Sequence, residues 1–147
     1  MKEKPSPAAD HTKNKTANTP QIQGTQWIIE LYQCNFEILN DEKAVQSVMI
    51  AAAEAARATV VNHCFHRFAP QGVSGVVVIS ESHLAVHTWP EYGYCAIDLF
   101  TCSEDIEHDN AVRVLKEGFQ SKEEKVFVLE RGIQNRSLNT LPLASMD

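Results

Sequence analysis

Gly75-Val76-Val77-Val78-Ile79-Ser80-Glu81-Ser82-His83-Leu84-Ala85-Val86-His87-Thr88-Trp89 reads as two apolar runs divided by a polar pair, Glu81-Ser82. β-branched residues and a closing aromatic favour strands on both sides. A spacer this short cannot carry a parallel crossover, which takes about a dozen residues. Gly75 to Ser80 and Leu84 to Trp89 are therefore predicted to pair antiparallel. Along the second strand, Leu84, Val86 and Thr88 fall on one face and His83, Ala85 and His87 on the other.

The same pattern extends outward. Thr59 to Phe65 is a strand ahead of the Pro70-Gln71-Gly72 turn, and Tyr94 to Cys102 is a strand after the Pro90 to Gly93 turn. Trp27 to Tyr32 is aromatic and β-branched, as in a well-buried first strand. Asn40 or Asp41 can cap a helix whose Val45, Val48, Met49, Ala52 and Ala56 recur at helical spacing. Val112, Leu115 and Phe119 mark a second helix, and Lys125 to Leu129 a last strand. The order β-α-β-β-β-β-α-β predicts an α+β fold, a two-layer α/β sandwich with two helices on one face of a mainly antiparallel sheet.

A chain of 147 residues with 44% apolar content makes one modest domain and excludes a large multidomain enzyme. Residues 1–24 carry Pro5, Pro7 and Pro20 among polar residues and are expected to be a disordered tail. The domain is expected over 25–132, with a C-terminal extension over 133–147. The net charge is −6, and because the tail is positive the remainder is more acidic still. That balance argues against a nucleic-acid partner and suits a cationic ligand. Apolar runs are too short for a membrane span, and Met1 to Pro5 is followed by no apolar stretch of a secretory signal. A cytoplasmic location follows as the expectation, with Cys34, Cys64, Cys95 and Cys102 as free thiols because no CxxC pair occurs.

Chemistry concentrates between Ser80 and Glu91. His83 and His87, with His63, Cys64 and His66, offer metal-ligand types, but an i,i+4 pair serves a metal on a helix and this segment reads as a strand. No metal is expected. Ser82 or Cys102 with His87 as base offers nucleophilic catalysis, yet no Gly-x-Ser-x-Gly elbow is present. By periodicity alone, Ser74 is a turn residue between Gly72 and Gly75, and Cys102 a small buried residue at a strand end.

The ordered run from Phe65-His66-Arg67-Phe68 through Gly72-Val73-Ser74-Gly75, Ser80 to Tyr94 and Asp98-Leu99-Phe100-Thr101-Cys102 resembles the bacterial and archaeal class of S-adenosylmethionine decarboxylase proenzymes. The resemblance spans about Gly24 to Gly132. It implies self-cleavage between Glu81 and Ser82, with Ser82 converted to a covalent pyruvoyl group that forms a Schiff base with the substrate amine. It further implies His87 as the proton acceptor in processing, Ser74 as its hydrogen-bonding assistant and Cys102 as proton donor to the product. Phe68 then stacks on adenine and Glu91 binds the ribose hydroxyls. The implied product is decarboxylated S-adenosylmethionine, the aminopropyl donor for spermidine, and the implied assembly is an (αβ)₂ dimer. Gln26 stands where the family commonly has histidine, and Ser103 where glycine is usual. These departures leave arginine or ornithine as alternative substrates of the same scaffold. An uncleaved regulatory or binding homologue is the non-enzymatic alternative.

Overall fold

The computed structural model describes residues 22–132. Six strands form one sheet: β1 (Gly24–Tyr32), β2 (Val60–Arg67), β3 (Val73–Ile79), β4 (Ser82–Trp89), β5 (Tyr94–Thr101) and β6 (Glu123–Arg131). The spatial order is β2-β3-β4-β5-β1-β6, and every neighbouring pair is antiparallel. β1 thus lies between β5 and β6. Two long helices, α2 (Glu42–Ala55) and α3 (His108–Gly118), cover one face, preceded by a single-turn helix α1 (Phe36–Leu39). The expected two-layer α+β architecture is the one observed. Of the expected tails, residues 1–21 and 133–147 lie outside the described residues, and Gly24 already belongs to β1.

Local chemistry accounts for each element. Asp41 caps α2 by accepting the Ala44 N–H at 2.9 Å. Val45, Met49 and Ala52 are then turned into the core. The helix stops at Ala56, followed by Arg57 at φ 63°. Leu84 and Val86 of β4 meet Ile97 and Leu99 of β5 and Ile29 and Leu31 of β1 in the same core. Burial of each such side chain is worth about 1.5–3 kcal/mol. α2 and α3 approach closely because Gly118 has no side chain: a Cβ there would stand 2.6 Å from Val48 Cγ1.

β4 buries Leu84, Val86 and Thr88 and leaves His83, Ala85 and His87 on the other face, as the alternation predicts. β3 begins earlier than its apolar run suggests, at Val73, so Ser74 is a strand residue rather than a turn residue. The pairing of Ser74 with His87 and His66 explains this. Thr88 helps fix that end of the sheet: its hydroxyl donates to the Leu39 carbonyl and accepts the Val73 N–H, both at 2.8 Å. Among the described residues, the face opposite the helices carries no second layer. None of the described helices is long and apolar enough to cross a membrane.

Candidate active site

β3 and β4 are joined by the two-residue turn Ser80-Glu81, with Ile79 paired to Ser82. Ser82 adopts φ 135°, a region that an L-residue with a Cβ rarely occupies. The turn is tied from two sides. The Glu81 carboxylate accepts the Thr59 N–H at 3.2 Å, and the Glu81 carbonyl accepts the backbone N–H of Cys102 at 2.9 Å. Ser82 is also the register partner of Thr101, so Cys102 leaves β5 directly beside the Glu81–Ser82 peptide. Cys102 is exposed, and all four cysteines are free thiols.

A cleft of about 300 Å³ opens next to Cys102, lined among others by Gly24, Thr25, Thr101, Glu104 and His108. Gly24 lets β1 come close here, since a Cβ would meet the Phe100 ring at 2.7 Å and the Thr101 carbonyl at 2.8 Å.

The second cluster occupies the far end of the same hairpin. Ser74 and His87 are register partners on the open face, with Ser74 Oγ and His87 Nδ1 2.7 Å apart. Phe68 follows β2 and is anchored by its N–H to the Gly72 carbonyl at 2.8 Å. Its ring is nearly perpendicular to that of His66, with centroids 4.7 Å apart, and Phe68 is 47% exposed, so the ring is accessible to a flat ligand. Glu91, on the 3₁₀ turn Pro90–Tyr92 that follows β4, is exposed at the same end.

The structure therefore gathers Glu81, Ser82 and Cys102 at one end, and Phe68, Ser74, His87 and Glu91 at the other. It does not bring the two sets together within one chain. Ser82 and His87 are five positions apart on β4, which at a strand's rise is roughly 17 Å.

Several aromatic residues of the open face form a stack to which the sequence motif assigns no role. Trp89 stacks on Tyr94, and Tyr94 on Tyr32, each with ring centroids 5.3 Å apart. The Tyr94 hydroxyl donates to Glu30, and burial, together with that carboxylate, pushes the hydroxyl's pKa above the ordinary tyrosine range. Cross-strand spacing could have suggested the Trp89–Tyr94 pair, but not its continuation onto β1. His63 and His66 are three positions apart on β2 and so face opposite sides of the sheet, which separates two of the potential metal ligands read from the sequence.

The chain matches the family model described as S-adenosylmethionine decarboxylase over residues 25–132. It is 53% identical over 110 residues to the S-adenosylmethionine decarboxylase proenzyme of Moorella thermoacetica, covering 75% of this chain and 88% of that protein. The proenzyme of the same name from Pseudomonas aeruginosa is 44% identical over 120 residues, covering 82% and 75% respectively. Among solved structures, the adenosylmethionine decarboxylase of Aquifex aeolicus aligns with a TM-score of 0.72 at 26% identity, covering 80% of this chain and 98% of that one.

Proposed function

The chain belongs to the S-adenosylmethionine decarboxylase family, and on that premise we propose that it is a proenzyme that cuts its own Glu81–Ser82 bond and then decarboxylates S-adenosylmethionine. The observation that carries this reading is the hydrogen bond from the Cys102 N–H to the Glu81 carbonyl, beside a Ser82 held at φ 135°. An amide is a poor electrophile. A donor on its oxygen and a twisted following residue both favour attack by a neighbouring hydroxyl.

The residues present fit a pyruvoyl group made from Ser82. In processing, Ser82 Oγ adds to the Glu81 carbonyl carbon and displaces the Ser82 nitrogen, giving an ester. His87 then takes the Cα proton of residue 82, and elimination breaks the ester C–O bond. Glu81 leaves with a new carboxylate, and water replaces the nitrogen on residue 82 with release of ammonia. Ser74 fixes the orientation of the His87 ring through the 2.7 Å contact to Nδ1. The pyruvoyl group, once formed, supplies the carbonyl that draws electrons from the departing carboxylate. Cys102 holds a proton at Sγ for the carbon that has lost CO₂. Phe68 presents its exposed ring to adenine, and Glu91 accepts from the ribose hydroxyls.

The roughly 17 Å between the two clusters supports a shared site between two chains. Each chain presents an open sheet face bearing exposed Val78, Trp89, Phe127 and Leu129. A two-fold pairing of such faces runs them in opposite directions, placing the Ser74–His87 end of one chain over the Ser82–Cys102 end of the other. It also covers the apolar residues. The working assembly is on this reading an (αβ)₂ dimer with each site built from both chains.

The test is intact mass together with CO₂ release from S-adenosylmethionine, with arginine and ornithine assayed in parallel. Chains corresponding to residues 1–81 and 82–147, and release from S-adenosylmethionine alone, are the expected result. A chain that stays uncut, or release from arginine or ornithine only, overturns the reading.

A further inference from the structure

The loop Cys102–Glu107 connects β5 to α3 and carries Cys102 at its start. Its two ends are joined by one side-chain contact: Thr101 Oγ1 and His108 Nε2 are 2.7 Å apart. Thr101 is 1% exposed, so its hydroxyl has no bulk water to turn to. The imidazole is itself held. It lies parallel to the Trp27 indole, 5° between planes and 4.7 Å between centroids. The Glu107 N–H completes the anchorage by donating to the Ala56 carbonyl of α2 at 3.0 Å.

A continuous line of contacts thus runs from Trp27 through His108 and Thr101 to the Cys102 backbone, and from there to the Glu81 carbonyl. Trp27 and His108, which begin this line, are assigned no role in catalysis by the family motif. Trp27 and His108 are separated by most of the chain, and their stack exists only because β1 lies next to β5 and α3 begins over their ends.

We propose that His108 is a positioning residue for this enzyme: by clamping Thr101 across the loop, it sets where Cys102 places its backbone N–H and its thiol. The proposal rests on the self-processing decarboxylase reading above and adds to it a residue that touches neither substrate nor reacting atoms. Because the clamp acts on geometry at Cys102, its loss lowers turnover and slows cleavage, while substrate affinity, set by Phe68 and Glu91 at the other cluster, stays nearly constant.

The experiment compares the wild-type protein with His108→Ala, His108→Gln, Thr101→Val and the double variant His108→Ala/Thr101→Val. Cleavage half-time, kcat and KM are read for each. Glutamine carries an acceptor at about the reach of Nε2. The expected result is that His108→Ala lowers kcat and slows cleavage about tenfold with KM within about twofold, a modest misplacement effect. His108→Gln should recover to within about threefold of wild type. Thr101→Val should match His108→Ala, and the double variant should be no slower than either alone. His108→Ala equal to wild type, glutamine giving no recovery, or additive losses in the double variant would each overturn the proposal. Should His108→Ala fail to fold, Thr101→Val, which leaves the stack on Trp27, decides: unchanged kcat and cleavage overturn it. A wild-type protein that neither cleaves nor decarboxylates removes the underlying reading, whereas an active wild type matched by His108→Ala removes this inference alone.

Discussion

Cys102 reaches the Glu81 carbonyl with its backbone N–H, at 2.9 Å, and not with its side chain. The backbone and the side chain of this residue are thereby free to act separately. In the mechanism proposed above, the amide polarises the bond to be cut, and the thiol is left for the later proton transfer.

Cys102→Ala should separate those events. The backbone donor remains, so cleavage at Glu81–Ser82 is expected to proceed within about tenfold of the wild-type rate, while turnover falls by about 10²-fold or more through loss of the proton donor. Intact mass follows the first and CO₂ release the second. Loss of both in parallel would show that the thiol is needed already for cleavage.

The distance between Ser82 and His87 leads to a complementation experiment. Ser82→Ala should remain a single chain, and His87→Ala should cleave at least about 10²-fold more slowly than wild type. Co-expressed, the two variants are expected to form mixed dimers in which the His87→Ala chain is cut at residue 81, because its partner brings an intact His87. Absence of cut chain in isolated mixed dimers would place the histidine in the same chain as the serine it serves.

Phe68→Ala and Glu91→Gln should act on binding. Loss of a stacking ring or of a carboxylate on a diol is expected to raise KM about tenfold, with cleavage of the proenzyme unaffected. Steady-state kinetics on fully cleaved protein checks this. A fall in kcat at constant KM would move these residues from substrate recognition to the chemical step.

Stability should depend on pH through His108. Burial holds its pKa below the ordinary 6.5, against opposing contributions from the Ile106 backbone and Asp109. Across the interval between the folded value and 6.5, the unfolded ring binds a proton that the folded ring does not. Stability is therefore complete above 6.5 and declines as the pH falls through that interval. Urea midpoints measured from neutral to mildly acidic pH should fall for the wild type and fall less for His108→Gln. Equal slopes would show that other groups carry the acid dependence.

Much of the fold was legible in the sequence because its signals are local. The Glu81-Ser82 spacer settles antiparallel pairing, the period-two alternation from Leu84 to Thr88 settles which face of β4 is buried, and Asp41 ahead of an apolar helical stripe settles the start of α2. Ser74 was harder, because flanking glycines resemble a turn and only its pairing with His87 reveals a strand. The identities of the candidate site residues came from the ordered motif, while their division between two ends came from the sheet. That division could have been anticipated from strand rise alone, since five residues along β4 cannot close on one another. The Trp27–His108–Thr101 contacts were out of reach, as they require knowing that the first strand lies beside the fifth.

The strand order also bears on what the proposed cut at Glu81–Ser82 would leave behind. The first product retains β1, α1, α2, β2 and β3, and the second β4, β5, α3 and β6. In the sheet these do not sit side by side as two blocks. β1 of the first is wedged between β5 and β6 of the second. The halves are interlaced, so neither can leave as a folded piece, and no peptide bond is needed to keep them together. Once unfolded, the matured protein must reassemble from two separate polypeptides, whose meeting depends on concentration. Maturation thus exchanges a chain that can refold alone for one whose persistence rests on never fully opening.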